Sequence, residues 1–157
     1  MKERLGAGDA APDFDLEGTG GQRYRLSAYR GAPVVLVFYP ADNTPVCTAQ
    51  LTSYSGDLSR FQEVGAAVLA ISPQDVASHE DFATRNGGFG LPLLCDVDHA
   101  VGRAYGVVGP LGFYRRSVFV VDRDGIVRHA HRAVAGLTFR PVDELVAAVR
   151  EAEAAHT

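Results

Sequence analysis

Val34-Val35-Leu36-Val37-Phe38-Tyr39-Pro40-Ala41-Asp42-Asn43-Thr44-Pro45-Val46-Cys47-Thr48-Ala49-Gln50 is the stretch that fixes the fold class. The unbroken apolar run Val34–Tyr39 reads as a strand buried on both faces. Pro40 ends it, a polar loop follows, and Thr44-Pro45 opens a helix. Thr44 suits the N-cap, its hydroxyl accepting from a first-turn N–H. Pro45 suits N1, where a missing N–H costs nothing. Counting on, Cys47 falls at N3. A buried strand that feeds a helix is the unit of an α/β sheet, and ligands bind outside the carboxyl ends of such strands.

The rest of the chain repeats this alternation. Ala66–Ile71, Leu91–Leu94 and Ser117–Val121 read as further buried strands. Leu51, Tyr54, Leu58 and Phe61 share one face of a helix that starts at Thr44. Asp75 to Arg85 and Asp98 to Tyr105 read as two more helices, and Pro141 opens a last one through Val142, Leu145, Val146 and Val149. Asp122-Arg123-Asp124-Gly125 is a hairpin turn into Ile126–Ala130, and it lacks the later oxygen ligands of a calcium loop. Phe14–Leu16 and Tyr24–Leu26, bridged by Gly18-Thr19-Gly20-Gly21, predict a small hairpin. The expected fold is an α/β sandwich with parallel central strands and an antiparallel pair near the C-terminus, forming a single domain over residues 1–157.

Composition narrows the function classes. The 157 residues are 46% hydrophobic and 22% charged, which suits one soluble globular domain. No apolar run approaches the roughly 20 residues of a membrane-spanning helix, and Met1 to Gly6 lacks a secretory signal's apolar stretch. A net charge of -4 without basic clusters argues against nucleic acid as a partner. The expected location is the cytoplasm.

Cys47 and Cys95 are the only 2 cysteines, too few for a disulfide scaffold and wrongly spaced for structural zinc. Cys47 lies where first-turn N–H groups and the helix dipole favour a thiolate, and a thiolate is a nucleophile. The competing reading is a small buried hydrophobe. His129-Ala130-His131 and the Cys95–His99 spacing fall short of a metal ligand set, so no metal is expected and no cofactor is called for. His79 as the base of a cysteine hydrolase has no evident orienting partner. Thr44-Pro45-Val46-Cys47 has the spacing of Cys-x-x-Cys without its first thiol, which excludes a dithiol reductase.

The segment Pro40-Ala41-Asp42-Asn43-Thr44-Pro45-Val46-Cys47 resembles the Pro-x-x-x-Thr-x-x-Cys loop of peroxiredoxins, most of all the bacterioferritin comigratory protein or peroxiredoxin Q branch. The likeness continues through Ala11-Pro12-Asp13-Phe14, Ile71-Ser72-Pro73, Ser78-His79, Leu93-Leu94-Cys95-Asp96, Ala104-Tyr105-Gly106-Val107 and Arg116-Ser117-Val118-Phe119. It implies a thioredoxin-like fold and reduction of hydrogen peroxide or organic hydroperoxides by a thiol-dependent peroxidase, in a monomer or weak dimer. On that likeness Cys47 is the peroxidatic nucleophile, Arg116 stabilises its thiolate, Thr44 contacts the peroxide and Pro40 shields the sulfur. Backbone N–H groups of Val46 and Cys47 would complete the donor set. Arg115, its neighbour on the other face of the strand, would not share the site.

The chain departs from the family pattern at its resolving thiols. Relatives carry a second cysteine a few residues on, where Thr52 stands, or in the following helix, near Ala83. Gln50 occupies a position where many members have Glu. Cys95, expected at the same end of the sheet as Cys47 and two strands away, is the one thiol left to resolve it; a plain packing role is the alternative. The leading expectation is a one-cysteine cycle with an external thiol or reductase protein as partner. The alternative is a catalytically idle thioredoxin-fold module that binds a protein partner, or a redox sensor.

Overall fold

The computed structural model describes residues 5–133 and 139–154. Its strands are β1 (Asp15–Gly18), β2 (Gln22–Arg25), β3 (Val34–Phe38), β4 (Ala67–Ser72), β5 (Leu93–Cys95), β6 (Ser117–Val121) and β7 (Val127–Arg132). They form one 7-stranded sheet in the order β2-β1-β5-β4-β3-β6-β7. β3, β4 and β5 run parallel, whereas β6 is antiparallel to β3 and β7 to β6. The expected parallel centre and antiparallel C-terminal pair are both present.

Strand alternation divides the core. Val35 and Val37 face one apolar cluster; Val34, Leu36 and Phe38 face the other. The first cluster is closed by the helices α1 (Pro45–Gly56), α2 (Leu58–Glu63), α3 (Val76–Arg85) and α5 (Val142–Ala154). The second lies on the opposite face, where Phe38, Tyr105, Tyr114 and Phe119 meet ring to ring beside α4 (Ala100–Ala104). Because both faces are covered, the central strands lack a polar side, which is why they read as continuous apolar runs.

Three expectations are corrected. The helix from Thr44 is two helices, broken at Asp57 (φ -109, ψ 22). Leu51, Tyr54 and Phe61 still reach one core, so apolar spacing alone could not reveal the break. The first hairpin forms nearer its turn than expected: Asp15 pairs with Arg25 and Gly18 with Gln22. Phe14 and Leu26 sit beyond it, buried, and joined by a bond from the Leu26 N–H to the Phe14 carbonyl at 3.1 Å. The helix expected from Asp98 begins only at Ala100, because His99 takes a left-handed conformation (φ 64).

Buried Asp96 supplies what α4 lacks at its start. Its carboxylate accepts from the N–H groups of Val101 (3.0 Å) and Gly102 (2.8 Å) and from the Tyr114 hydroxyl. Gly102 is needed there, since a Cβ would lie 2.5 Å from the Tyr114 ring. Tyr114 is thereby fixed just before Arg116. At the expected turn Asp122 accepts from the N–H groups of Asp124 (2.9 Å) and Ile126 (3.0 Å), and Gly125 supplies the positive φ of 80.

Candidate active site

β3 delivers the chain to the carboxyl edge of the sheet, and Pro40 begins the loop to α1. Asn43 turns it through a left-handed conformation (φ 63), which Asn tolerates better than most residues. Thr44 is the N-cap and Pro45 follows at N1, which leaves Cys47 at N3. One detail differs from expectation. The Thr44 hydroxyl does not accept from the first turn; it donates to the Ala41 carbonyl at 3.1 Å. Its own carbonyl receives the Thr48 N–H (2.8 Å) and the Thr48 hydroxyl (2.7 Å). The N–H groups of Val46 and Cys47 precede that first intrahelical bond, so neither has a partner inside the helix.

Cys47 is fully buried, and Arg116 reaches it from the start of the neighbouring strand β6. Register explains how. Ser117, the first residue of β6, pairs with Phe38, the last of β3, so Arg116 projects beyond the ladder beside the helix start. Its Nη2 donates to the Cys47 Sγ at 3.2 Å and its Nη1 to the Gln50 Oε1 at 2.6 Å. Arg116 is only 4% exposed, unlike an ordinary surface arginine. Arg115 takes no part in these contacts; its N–H donates to the Val107 carbonyl at 2.6 Å and its side chain lies by Gly109.

Gln50, noted in the sequence only for being an amide, is a structural member of the site. It accepts from Arg116 and, through Nε2, donates to the Tyr54 hydroxyl at 3.4 Å; that hydroxyl donates to the Arg140 carbonyl at 2.6 Å. The helical spacing of Cys47, Gln50 and Tyr54, three and four residues apart, was the signal that could have grouped them. A neutral acceptor leaves the guanidinium charge directed at the sulfur. Gln50→Glu is expected to slow oxidation of Cys47 by about threefold to tenfold, as a carboxylate competes for that charge. Stopped-flow oxidation of the two proteins is the check.

A second cluster escaped sequence reasoning. Asp42, in the loop before Cys47, accepts from the Tyr39 hydroxyl (2.6 Å) and the Ser78 hydroxyl (2.6 Å) and meets His79 Nδ1 at 2.7 Å. His79 Nε2 lies 2.8 Å from the Leu94 carbonyl. His79 thus has an orienting carboxylate, yet its ring nitrogens are engaged with Asp42 and Leu94 and not with Cys47. Burial alone would raise the Asp42 carboxyl, but the bonds from His79, Ser78 and Tyr39 outweigh it and hold the group below the ordinary carboxylate value. That stabilisation is present at neutral pH and lost as pH falls through the lowered value. Below about pH 4, wild type should therefore lose thermal stability more steeply than Asp42→Asn, as read by circular dichroism melts.

Cys95 closes β5 opposite Ser72, two strands from β3 and 8% exposed. Burial, then the charges of Glu17, Asp75, Asp42 and Glu80, push its thiol up to about 11. It stays protonated at neutral pH. His129 and His131 stand on β7, and among the described residues no three potential metal ligands cluster.

A thiol in the first turn of the helix after a central strand, with a buried arginine on its sulfur, defines a thioredoxin-like protein equipped for thiol chemistry. Residues 7–130 match the AhpC/TSA family, and the chain belongs to it. It is 40% identical over 129 residues to chloroplastic peroxiredoxin Q of Arabidopsis thaliana, covering 80% of this chain and 58% of that one. Alkyl hydroperoxide reductase E of Mycobacterium bovis is 42% identical over 130 residues, with 80% and 84% covered. The chain spans 59% of the length of the rice and wheat peroxiredoxin Q proteins it matches. Peroxidoxin BcpB from Mycobacterium tuberculosis superposes with a TM-score of 0.84 at 33% identity, covering 94% of this chain and 98% of that one. Peroxiredoxin Q from Xanthomonas campestris does so at 0.78 and 33%, with 88% and 90% covered.

Proposed function

We propose that the protein is a thiol-dependent peroxidase in which Cys47 reduces hydrogen peroxide and organic hydroperoxides. The observation that carries this reading is the Arg116 guanidinium on a buried Cys47 sulfur at a helix start. The arginine charge and the first-turn N–H groups are what a thiolate at this position would face. The thiolate attacks one peroxide oxygen, the O–O bond breaks with its electron pair on the departing oxygen, and that oxygen leaves as water or an alcohol after taking a proton. Cys47 becomes a sulfenic acid. Arg116 and the N–H groups of Val46 and Cys47 are the donors for charge on the oxygens, Thr44 joins them by exchanging its bond to the Ala41 carbonyl for one to the peroxide, and Pro40 shields the sulfur. A solved structure of Xanthomonas campestris bacterioferritin comigratory protein, 33% identical, is described in terms of alkyl peroxide reduction, which supports the substrate class.

Two external thiols then return the sulfenic acid to the thiol, releasing water and forming their own disulfide. The alternative is attack by Cys95. A thiol pushed up to about 11 is a poor nucleophile at neutral pH, which favours the one-cysteine cycle. We read the reductant as a low-molecular-weight thiol or a thioredoxin-like protein and the enzyme as cytoplasmic, a reducing compartment that keeps both cysteines free. A monomer or weak dimer is the assembly that the likeness to the peroxiredoxin Q branch supports.

One peroxide equivalent added to the reduced protein tests both points by intact mass and thiol count. A gain of one oxygen with one thiol remaining is the expected result. Loss of two hydrogens and both thiols would assign resolution to Cys95. Stopped-flow oxidation no faster than that of free cysteine would leave the idle module as the better reading.

A further inference from the structure

His79 is fully buried, and both of its ring nitrogens point at acceptors: the Asp42 carboxylate at 2.7 Å and the Leu94 carbonyl at 2.8 Å. Counting protons fixes how the ring is bonded. The Leu94 carbonyl can only accept, so Nε2 carries a hydrogen. Tyr39 and Ser78 have one hydroxyl proton each, and both are already given to Asp42. The contact between Asp42 and Nδ1 therefore holds one further proton, shared between the carboxylate and the ring. The Tyr39 hydroxyl, 3.3 Å from Nδ1, stays protonated, since burial and the Asp42 charge hold its ionisation well above the usual range. On the other side Asp75, Glu80 and Glu17 act with Asp42 as negative neighbours of Cys95, next to Leu94.

The result is a buried His79–Asp42 pair sharing a proton and joining three elements: the loop that leads to Cys47, helix α3 and strand β5. Such a pair holds strongly when satisfied, and removal of either partner leaves a buried polar group without its bond. Asp42 is also tied through its N–H to the Gln74 Oε1 at 2.9 Å. Cys47 itself has no exposed surface. A peroxide is small; a thiol reductant, and above all a protein, reaches the sulfur only after the segment around it opens.

We propose that the His79–Asp42 pair positions the Cys47 segment in its closed form and so sets how readily the oxidised sulfur is presented to the reductant. The proposal rests on Cys47 being the peroxidatic thiol. His79 is on this view a positioning residue, acting through Asp42. Weakening the pair favours the open form: oxidation by peroxide slows, because Arg116 and the first-turn donors lose their alignment, while reduction of the sulfenic acid by a bulky thiol quickens.

Hydrogen exchange of peptides within residues 41–50 tests this in wild type, His79→Gln, Asp42→Asn and the milder Ser78→Ala. Gln keeps a donor for Leu94 but carries no charge. Exchange there should be at least tenfold faster in the first two variants and severalfold faster in Ser78→Ala, with β3 and β6 unchanged. Equal protection in wild type and variants would overturn the proposal. If the first two variants lose protection throughout, Ser78→Ala and the wild-type ring decide. In ¹⁵N-labelled wild type at pH 7, His79 should show a slowly exchanging, hydrogen-bonded ring proton, and a freely exchanging ring would sink the idea. Neither measurement requires turnover, so an inactive protein and a wrongly assigned clamp give different results.

Discussion

Arg116→Met is expected to slow oxidation of Cys47 by hydrogen peroxide by about 10²–10³-fold, the scale of losing one preorganised donor in a site shielded from water. Met keeps much of the buried volume and apolar stem but removes both hydrogen bonds, to Cys47 and to Gln50. The thiolate then retains only the helix start. Arg116→Lys should recover part of the rate, because a single ammonium can face the sulfur or Gln50 but not grip both in the fork the guanidinium uses. Single-turnover oxidation of reduced protein, followed in a stopped-flow instrument, measures the step without the reductant. A rate within threefold of wild type for Arg116→Met would mean that the arginine is structural.

The second large effect concerns stability. Asp96→Ala is expected to cost about 3 kcal/mol and lower the melting temperature by roughly 10 °C. The change strands two backbone N–H groups, of Val101 and Gly102, and the buried Tyr114 hydroxyl, all of which lose their acceptor together. Asp96→Asn should cost less, since an amide oxygen still accepts. Thermal melts of the three proteins provide the comparison. Because Tyr114 leads directly into Arg116, the alanine variant should also slow peroxide oxidation while leaving Cys47 in place. A loss below 1 kcal/mol would show that water replaces the carboxylate.

The central strands, α1 with its cap and the last helix were legible in the sequence because burial on both faces and helical spacing leave direct marks on residue order. Cys47 was legible for the same reason: Thr44-Pro45 states where the helix begins. Arg116 was identified by resemblance; its burial and fork to Gln50 depend on the register of β6 against β3, which periodicity does not carry. The break at Asp57 was hidden because Leu51, Tyr54 and Phe61 reach the same core on either side of it. Asp42 and His79 read as a loop residue and a helix residue with nothing between them. Only the parallel pairing of β3, β4 and β5 brings their elements together, so a partner for His79 could not be seen in one dimension.

The outermost strands bear on a different property, the protein's behaviour in crowded solution. β2 carries Arg23 and Arg25, each ion-paired with Asp15, and the start of β7 is already bonded along its outer side, the Gly8 N–H giving to the Val127 carbonyl and the Val127 N–H to the Asp9 carbonyl. A neighbouring chain adding itself edge-on would have to seat its strand among the charged side chains of β2 or displace that segment from β7, which discourages fibrous stacking. On the proposed cycle, loosening around Cys47 exposes a helix start and a loop, while the sheet edges stay guarded.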